Sequence, residues 1–428
     1  MAAHRDKAGR PIIAVTGMGV VTSLGVGKED NWAKLSTGTS GIRRISRFAL
    51  DSLRTTIAGT VNDVYKDFMA PAQLSERIAT LACEEAIAQS AIGSQGYFPG
   101  PLFLALPPFE IEWHYRTELA AKTASESDSD PTYPDLVRVA REPQFAPVLD
   151  TLKYGIIGEH LAERFGTQGS PISLTTACAS GGTSIQLGVE AIRRGECQAV
   201  LAVGADGSVT AEALIRFSLL SALSTQNDPP AQASKPFSKN RDGFVLAEGA
   251  AALVLEDYDH AIARGAKVLA ILEGCGEKSD SFHRTRSSPD GKPVIACMRN
   301  ALADAGVGPE DIDYINAHGT STPENDKMEC LGVSTVFGER IRTIPMSSNK
   351  SMIGHTLTAA GAVEAVITAL TLEHQRIPPT INYRVPDPAI PLDVVPNEAR
   401  DARMTRAISN SFGFGGQNIS LVLAREPA

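Results

Sequence analysis

The 428-residue chain is long enough to bury a large core and to divide into two lobes, and its 43% hydrophobic and 21% charged residues are those of an ordinary soluble protein. No apolar run approaches the ~18 residues that span a bilayer, the polar start over residues 1–10 lacks a signal core, and six cysteines (83, 178, 197, 275, 297 and 330) occur without CxxC pairing. Membrane insertion, export and zinc are therefore not expected. The net charge of −9, without a basic block, disfavours nucleic acid, and a reducing, cytoplasmic setting is expected.

In chain order, PIIAVTGMG (11–19) predicts a buried strand entering a glycine turn, and its lone Gly-x-Gly, with no acidic partner following, reads as structural. Helical periodicity covers 75–92, and a short strand over 102–106 stops at Pro107-Pro108. Residues 109–150 are the least regular; TASESDSDPTYP (123–134) predicts an exposed polar loop, with helical period resuming over 150–165. Strands follow at 199–204, 250–255, 268–273 and 312–317, a strand segment at 345–348, and strands near 407–411 and 418–423. Between them lie helical stretches at 213–223, 257–264, 293–305, 324–337 and 359–372. Uninterrupted apolar strands separated by amphipathic helices describe an α/β protein with sheets covered on both faces.

Within this frame, TTACASGG (175–182) sets Cys178 between a strand and a helix start, where free N–H groups and the helix dipole favour thiolate. A buried, inert cysteine is the competing reading. NAHGTST (316–322) and NKSMIGH (349–355) place His318 and His355 after strands, and NSFGFGG (410–416) is a glycine-rich, hairpin-like loop. Two histidines and a cysteine, all at the C-terminal ends of strands, are where open α/β sheets bind ligands.

These stretches (TTACASGG, NAHGTSTPENDKME, NKSMIGH and NSFGFGG) resemble, in order, the signatures of β-ketoacyl-acyl-carrier-protein synthases of the elongating FabF/FabB type, in the thiolase superfamily. The resemblance runs from about residue 11 to 424. It implies a thiolase-like fold of two pseudo-symmetric halves, 11–259 with the cysteine and 260–425 with the histidines, in a layered α-β-α-β-α core. It implies condensation of an acyl chain on Cys178 with malonyl-acyl-carrier protein, in fatty-acid elongation or in a specialised lipid or polyketide pathway. No cofactor and no metal are implied, since substrates arrive on the phosphopantetheine arm of the carrier; the partner is that carrier and the assembly a homodimer.

The same resemblance assigns roles. His318 and His355 act on the malonyl extender, and the backbone N–H groups of Cys178 and Phe414 form an oxyanion hole. Phe414 is a gate. Phe217 and Phe412 belong to the acyl pocket, although Phe217 reads equally as core packing. Thr320 and Thr322 hold the phosphopantetheine arm. Lys350 takes Glu329 as its buried acidic partner, in an organising or a proton-transfer role, and Asp326 is an internal anchor. The chain departs from the family pattern at Ala105-Leu106-Pro107-Pro108-Phe109-Glu110, where a Gly-Ser-Gly stretch is usual, at Gln417, and in its docking surface, where Ser221 replaces an arginine and Arg216, Arg284 and Arg286 are the substitutes on offer. Three other classes fit the sequence less well. A catalytically silent chain-length-factor subunit would lack Cys178, a degradative thiolase would carry a second cysteine near the C-terminus, and a cysteine protease fits neither the order nor the glycine-rich contexts.

Overall fold

The computed structural model describes residues 4–65, 69–126 and 130–426. Ten strands carry the architecture: β1 (Ile13–Thr22), β2 (Leu102–Ala105), β3 (Ile172–Leu174), β4 (Ala199–Asp206), β5 (Gly249–Asp257), β6 (Ala270–Ser279), β7 (Tyr314–Asn316), β8 (Met346–Ser347), β9 (Arg406–Phe412) and β10 (Gln417–Ala424). They run β3-β2-β4-β5-β1 and then β6-β10-β9-β7-β8, with Gly25–Val26 folding back on β1 to complete an eleven-stranded sheet. Read outward from the β1–β6 seam, each half has the same order. In each, β4 and β9 run parallel to the two outer strands, and β5 and β10 are antiparallel to them. The two halves of the sheet are joined by a ladder of three residue pairs, Ile13 to Val15 against Leu272 to Ala270.

Helices supply the other layers. Helix α1 (Pro71–Ser90) covers β1, β4 and β5 on one outside, and α7 (Lys292–Ala305) covers β6 and β10 on the other. Between the two halves lie α5 (Ser180–Arg193) and α10 (Ala360–His374), packed on each other and on strands of both halves. The result is the α-β-α-β-α sandwich expected. Helix α10 is apolar all round because it faces protein on every side, from Ala360 to Leu372. The crossing of α5 and α10 is made by glycine: a Cβ on Gly181 would lie 2.5 Å from the backbone nitrogen of Ala362, and one on Gly361 would overlap Gly182.

Three expectations are overturned. The strand at the N-terminus does not end in a glycine turn but continues through Gly17 and Gly19 to Thr22, because those glycines let α1 approach until a Cβ would strike the carbonyl oxygens of Ala86 and Ala82. Nor are residues 109–150 irregular. Helix α2 (Trp113–Ser125) and helix α3 (Tyr133–Ala140) pack as a pair, with Arg138 on Glu126 at 2.7 Å and a capping box between Thr132 and Asp135. Of the loop expected over 123–134, residues 127–129 lie outside the described set, and its two ends are helical or capping. The helix expected over 150–165 is interrupted: a short helix ends at Thr151, and α4 (Ile156–Phe165) begins after a turn.

Candidate active site

Cys178 leaves β3 through a tight turn in which Ala177 adopts φ +50°, a left-handed conformation that side chains other than glycine rarely take. Ser180 clamps the turn, its Oγ accepting from Thr176 N–H at 2.7 Å and donating to the Ala177 carbonyl at 2.6 Å. His355 holds the matching place in the second half, after β8 and the short helix α9 (Lys350–Ile353) and ahead of α10. Its backbone is pinned to the segment before β5, donating to Val245 O at 2.7 Å and accepting from Ala247 N–H at 3.0 Å. The two halves thus deliver Cys178 Sγ and His355 Nε2 to 3.2 Å from each other. His318, at the end of β7, stands edge-on to His355 with ring centroids 5.2 Å apart.

Burial drives the electrostatics. It pushes the Cys178 thiol up to about 11, against the opposing pull of the Phe414 backbone N–H and the Lys350 charge. The expectation of a thiolate favoured by the helix start meets an opposing influence: burial is the largest one on the sulfur and favours the thiol. Burial, and then the Lys350 cation, lower both histidines well below their ordinary range, so both are neutral at neutral pH. Their tautomers follow from their partners. Leu357 N–H donates to His355 Nδ1 at 3.3 Å, and the Lys350 ammonium donates to His318 Nδ1 at 3.3 Å. With Nδ1 accepting in each ring, the proton sits on Nε2.

The lysine's partner is a correction. Lys350 Nζ forms its buried ion pair with Glu364 on α10, not with Glu329, and also donates to His318 O at 2.7 Å. Glu364 is pushed up by burial and held against that by Lys350. Glu329 instead spans the backbone of the histidine loop, accepting from His318 N–H at 2.8 Å and Gly319 N–H at 2.7 Å. Asp326 accepts from Phe237 N–H at 2.7 Å and Ser321 N–H at 3.2 Å, with Arg241 Nε 3.5 Å away. Thr322 caps helix α8 (Pro323–Phe337), and its hydroxyl lies 2.8 Å from that of Thr320.

Cys178, His318 and His355 share one cavity of about 350 Å³ with Thr320, Thr322, Phe217, Phe412 and Phe414. Lys350, Glu329 and Asp326 stand behind its wall, each buried. Aromatic rings make a continuous series through it: Phe412 to His318 at 5.9 Å, His318 to His355, His355 to Phe244 at 5.4 Å, and Phe244 to Phe217 at 5.3 Å. The loop after Phe412 is tied to the segment over 280–288 by Gly415 N–H on Arg284 O at 2.7 Å and Asp280 N–H on Gly416 O at 2.8 Å. Exposed Arg284 and Arg286 therefore stand beside Phe414, whereas Arg216 is engaged by Glu110 at 3.1 Å. The Sγ and imidazole nitrogens of the three central residues lie within 4.8 Å of one another, a donor set that a soft divalent ion such as zinc would accept.

Four contributors were missed from sequence. Glu364 is the lone acid in the apolar run AGAVEAVITAL, and an unpaired charge in a wholly buried helix was the available signal. Asp206, fully buried at the end of β4, accepts from Thr358 Oγ1 at 2.8 Å and so ties down the turn after His355; no motif marks it. Glu110 and Glu112 line the cavity from the stretch where the family pattern lapses.

A two-fold repeated α/β sandwich with a cysteine and two neutral histidines at matching strand ends defines a thiolase-like condensing-enzyme core. The model of the beta-ketoacyl synthase N-terminal domain matches residues 11–88 and 123–261, and that of the C-terminal domain residues 269–384. The chain belongs to the beta-ketoacyl synthase family. It is 36% identical to 3-oxoacyl-[acyl-carrier-protein] synthase 2 of Coxiella burnetii, over 96% of this chain and 98% of that one. It is 34% identical to the actinorhodin polyketide putative beta-ketoacyl synthase 1 of Streptomyces coelicolor, over 98% and 91%. Among solved structures, AntDE:AntF, a type II polyketide acyl-carrier protein with its ketosynthase bound to a hexaketide, superposes with TM-score 0.85 at 30% identity, over 97% of this chain and 100% of that one.

Proposed function

We propose that the chain is a 3-oxoacyl-acyl-carrier-protein synthase, condensing an acyl group held on Cys178 with malonyl-acyl-carrier protein in fatty-acid elongation. The observation that carries this is the pair of imidazole Nε2–H donors, fixed by Leu357 and Lys350, beside a thiol 3.2 Å from one of them. In the first step, Cys178 Sγ attacks the acyl thioester. The new Sγ–C bond replaces the carrier's C–S bond, and the thiol proton ends on the departing pantetheine sulfur. The tetrahedral oxyanion is met by the backbone N–H groups of Cys178 and Phe414, the latter already opposing the burial-driven rise of the thiol.

In the second step the malonyl carboxylate leaves as CO2, and its bonding electrons pass into an enolate. His318 and His355 donate Nε2–H to the enolate oxygen, each worth on the order of 3 kcal/mol as a preorganised donor. The nucleophilic carbon attacks the acyl-cysteine, the C–C bond forms, and collapse of the tetrahedral intermediate expels the Cys178 thiolate, which takes a proton from solvent. Neutral imidazoles serve because they need not lose a proton first. Lys350, paired with Glu364, orients His318 rather than moving a proton, and Glu329 and Asp326 hold the histidine loop. Phe414 gates the pocket, Phe217 and Phe412 line it, and Thr320 and Thr322 hold the arm. The substrates bring their own phosphopantetheine, so no resident cofactor or metal is needed.

The carrier docks beside Arg284 and Arg286, and the chain works in the cytoplasm as a homodimer. Exposed apolar side chains at Trp113, Tyr133, Leu149 and Ile172 support the dimer. A second reading, a ketosynthase of a specialised lipid or polyketide pathway, is supported by Pro107-Pro108 in place of a glycine-rich turn and by the likeness to polyketide ketosynthases. Purified protein given acyl- and malonyl-acyl-carrier protein should release CO2 and 3-oxoacyl-carrier protein, and Cys178→Ala should form no 3-oxo product. Condensation by the alanine variant would sink the assignment.

A further inference from the structure

Strand β4 ends on Asp206, and the chain turns from there through Ser208 to helix α6 (Ala211–Leu219), which Thr210 caps. Asp206 is buried behind the cavity wall that it shares with His355, Leu357 and Thr358. Both of its oxygens are in use. Oδ1 accepts from Ser208 N–H at 3.0 Å and from the Ser208 hydroxyl; Oδ2 accepts from Thr358 N–H at 3.2 Å and from Thr358 Oγ1 at 2.8 Å. Burial opposes a carboxylate here, and the four donors that converge on it offset that cost. One oxygen shapes the approach to α6. The other reaches across into the second half of the chain.

What it reaches is a strained turn. Leu357, whose N–H lies 3.3 Å from His355 Nδ1, adopts φ +44°, a left-handed conformation that a leucine keeps only where its surroundings over-determine it. Before the turn, the backbone of His355 is held by Val245 and Ala247. After it, the N–H and hydroxyl of Thr358 are held by Asp206, with Ala205 O 3.0 Å from the same hydroxyl. The Leu357 N–H between these anchors is the donor that makes Nδ1 an acceptor and leaves the proton of His355 on Nε2.

We infer that Asp206 is a positioning residue for the malonyl half-reaction: through Thr358 it holds the Leu357 N–H on His355 Nδ1, and so keeps a donor on the Nε2 that faces the enolate oxygen. Without that hold the turn relaxes toward an ordinary conformation, the N–H leaves Nδ1, and the ring carries its proton on either nitrogen. A ring protonated on Nδ1 offers the enolate a lone pair in place of a donor. Acyl transfer to Cys178 does not share this dependence, because backbone N–H groups meet its oxyanion. The inference rests on the ketosynthase reading above.

The test pairs two rates with one spectrum. Nitrogen NMR of isotope-labelled histidine should find the His355 proton on Nε2 in the wild-type protein and a population with it on Nδ1 in Asp206→Asn, which puts an amide donor where an acceptor stood. In that variant, kcat for malonyl-carrier decarboxylation should fall about 10- to 10²-fold, toward the loss of one preorganised donor, while loading of Cys178 from acyl-pantetheine, followed by mass spectrometry, stays near the wild-type rate. A proton on Nδ1 in the wild-type protein overturns the inference, and that measurement needs no variant to fold. Unchanged decarboxylation in Asp206→Asn overturns it, as does an equal fall in both rates, the mark of a merely structural role. Should Asp206→Asn not fold, Thr358→Val, which removes one hydroxyl and leaves the Ser208 side intact, decides by the same two rates: a fall confined to decarboxylation supports the inference, and any other result overturns it. Absence of decarboxylation and of a Cys178 thioester in the wild-type protein would instead overturn the ketosynthase reading itself.

Discussion

Replacing Lys350 by methionine separates two things that the lysine does. Its ammonium is 2% exposed and Glu364 1%, so the variant leaves a carboxylate in the core without its cation. Breaking a buried pair from one side costs about 3–5 kcal/mol. A chain of 428 residues unfolds with an entropy near 0.9 kcal/mol per kelvin, so the midpoint of thermal unfolding should fall by roughly 3–6 °C. Adding Glu364→Gln removes the stranded charge, and the double variant should recover at least half of that loss. Decarboxylation of malonyl-carrier protein behaves differently. His318 loses the donor on Nδ1 in both variants, its proton is no longer held on Nε2, and the rate should drop about 10²-fold in each, the cost of one preorganised donor. Calorimetry and CO2 release on the two proteins provide the comparison. If the double variant recovered decarboxylation along with stability, the lysine would act through the ion pair alone and the tautomer argument would fail.

Other expectations follow from the same geometry. Alkylation of Cys178 by iodoacetamide should rise nearly tenfold per pH unit between about pH 7 and pH 9, because burial holds the thiol up to about 11 and the thiolate fraction grows throughout that range; a plateau near neutrality would contradict it. Since burial lowers both histidines, they take up protons only well below their ordinary range, and decarboxylation should not decline as pH falls through about 6.5; a rate that halves there would mean that the imidazoles titrate normally. His318→Ala or His355→Ala should each cut decarboxylation ~10²-fold, while Cys178→Gln keeps it and loses condensation; equal loss of both activities in the glutamine variant would place the sulfur in the decarboxylation step. Gly361→Ala forces the α5–α10 crossing apart and should cost ~1–3 kcal/mol in urea unfolding, with little effect expected from Gly155→Ala on that measure, since open space surrounds Gly155 and its φ of −80° suits alanine.

The sandwich was legible because its strands are apolar on both faces and its outer helices on one, a contrast that the pattern of residues carries along the chain. Cys178, His318 and His355 were legible because each follows a strand in a long glycine-rich signature. What remained hidden had one of two physical causes. Long-range pairing left no local mark: Lys350 reaches across to Glu364 on α10 rather than to Glu329, and Asp206 meets Thr358 from a distant strand. Local chemistry also misled where exposure is high. Trp113–Ser125 buries little, so its helical period is weak, and the polar run after it reads as loop although Thr132 and Asp135 close a capping box. At Cys178 sequence alone brings the helix start to notice, whereas the burial that raises the thiol comes from the fold around it.

The central claim is that Cys178 carries the acyl group that the malonyl-derived carbon attacks. Peptide mass spectrometry of protein incubated with acyl-carrier protein, before and after a pulse of malonyl-acyl-carrier protein, tests it most directly. The thioester should be found on Cys178 alone among the six cysteines and should disappear in step with the release of CO2 and the appearance of 3-oxoacyl-carrier protein. An acyl group on another cysteine, or a Cys178 thioester that persists while product forms, would contradict the account.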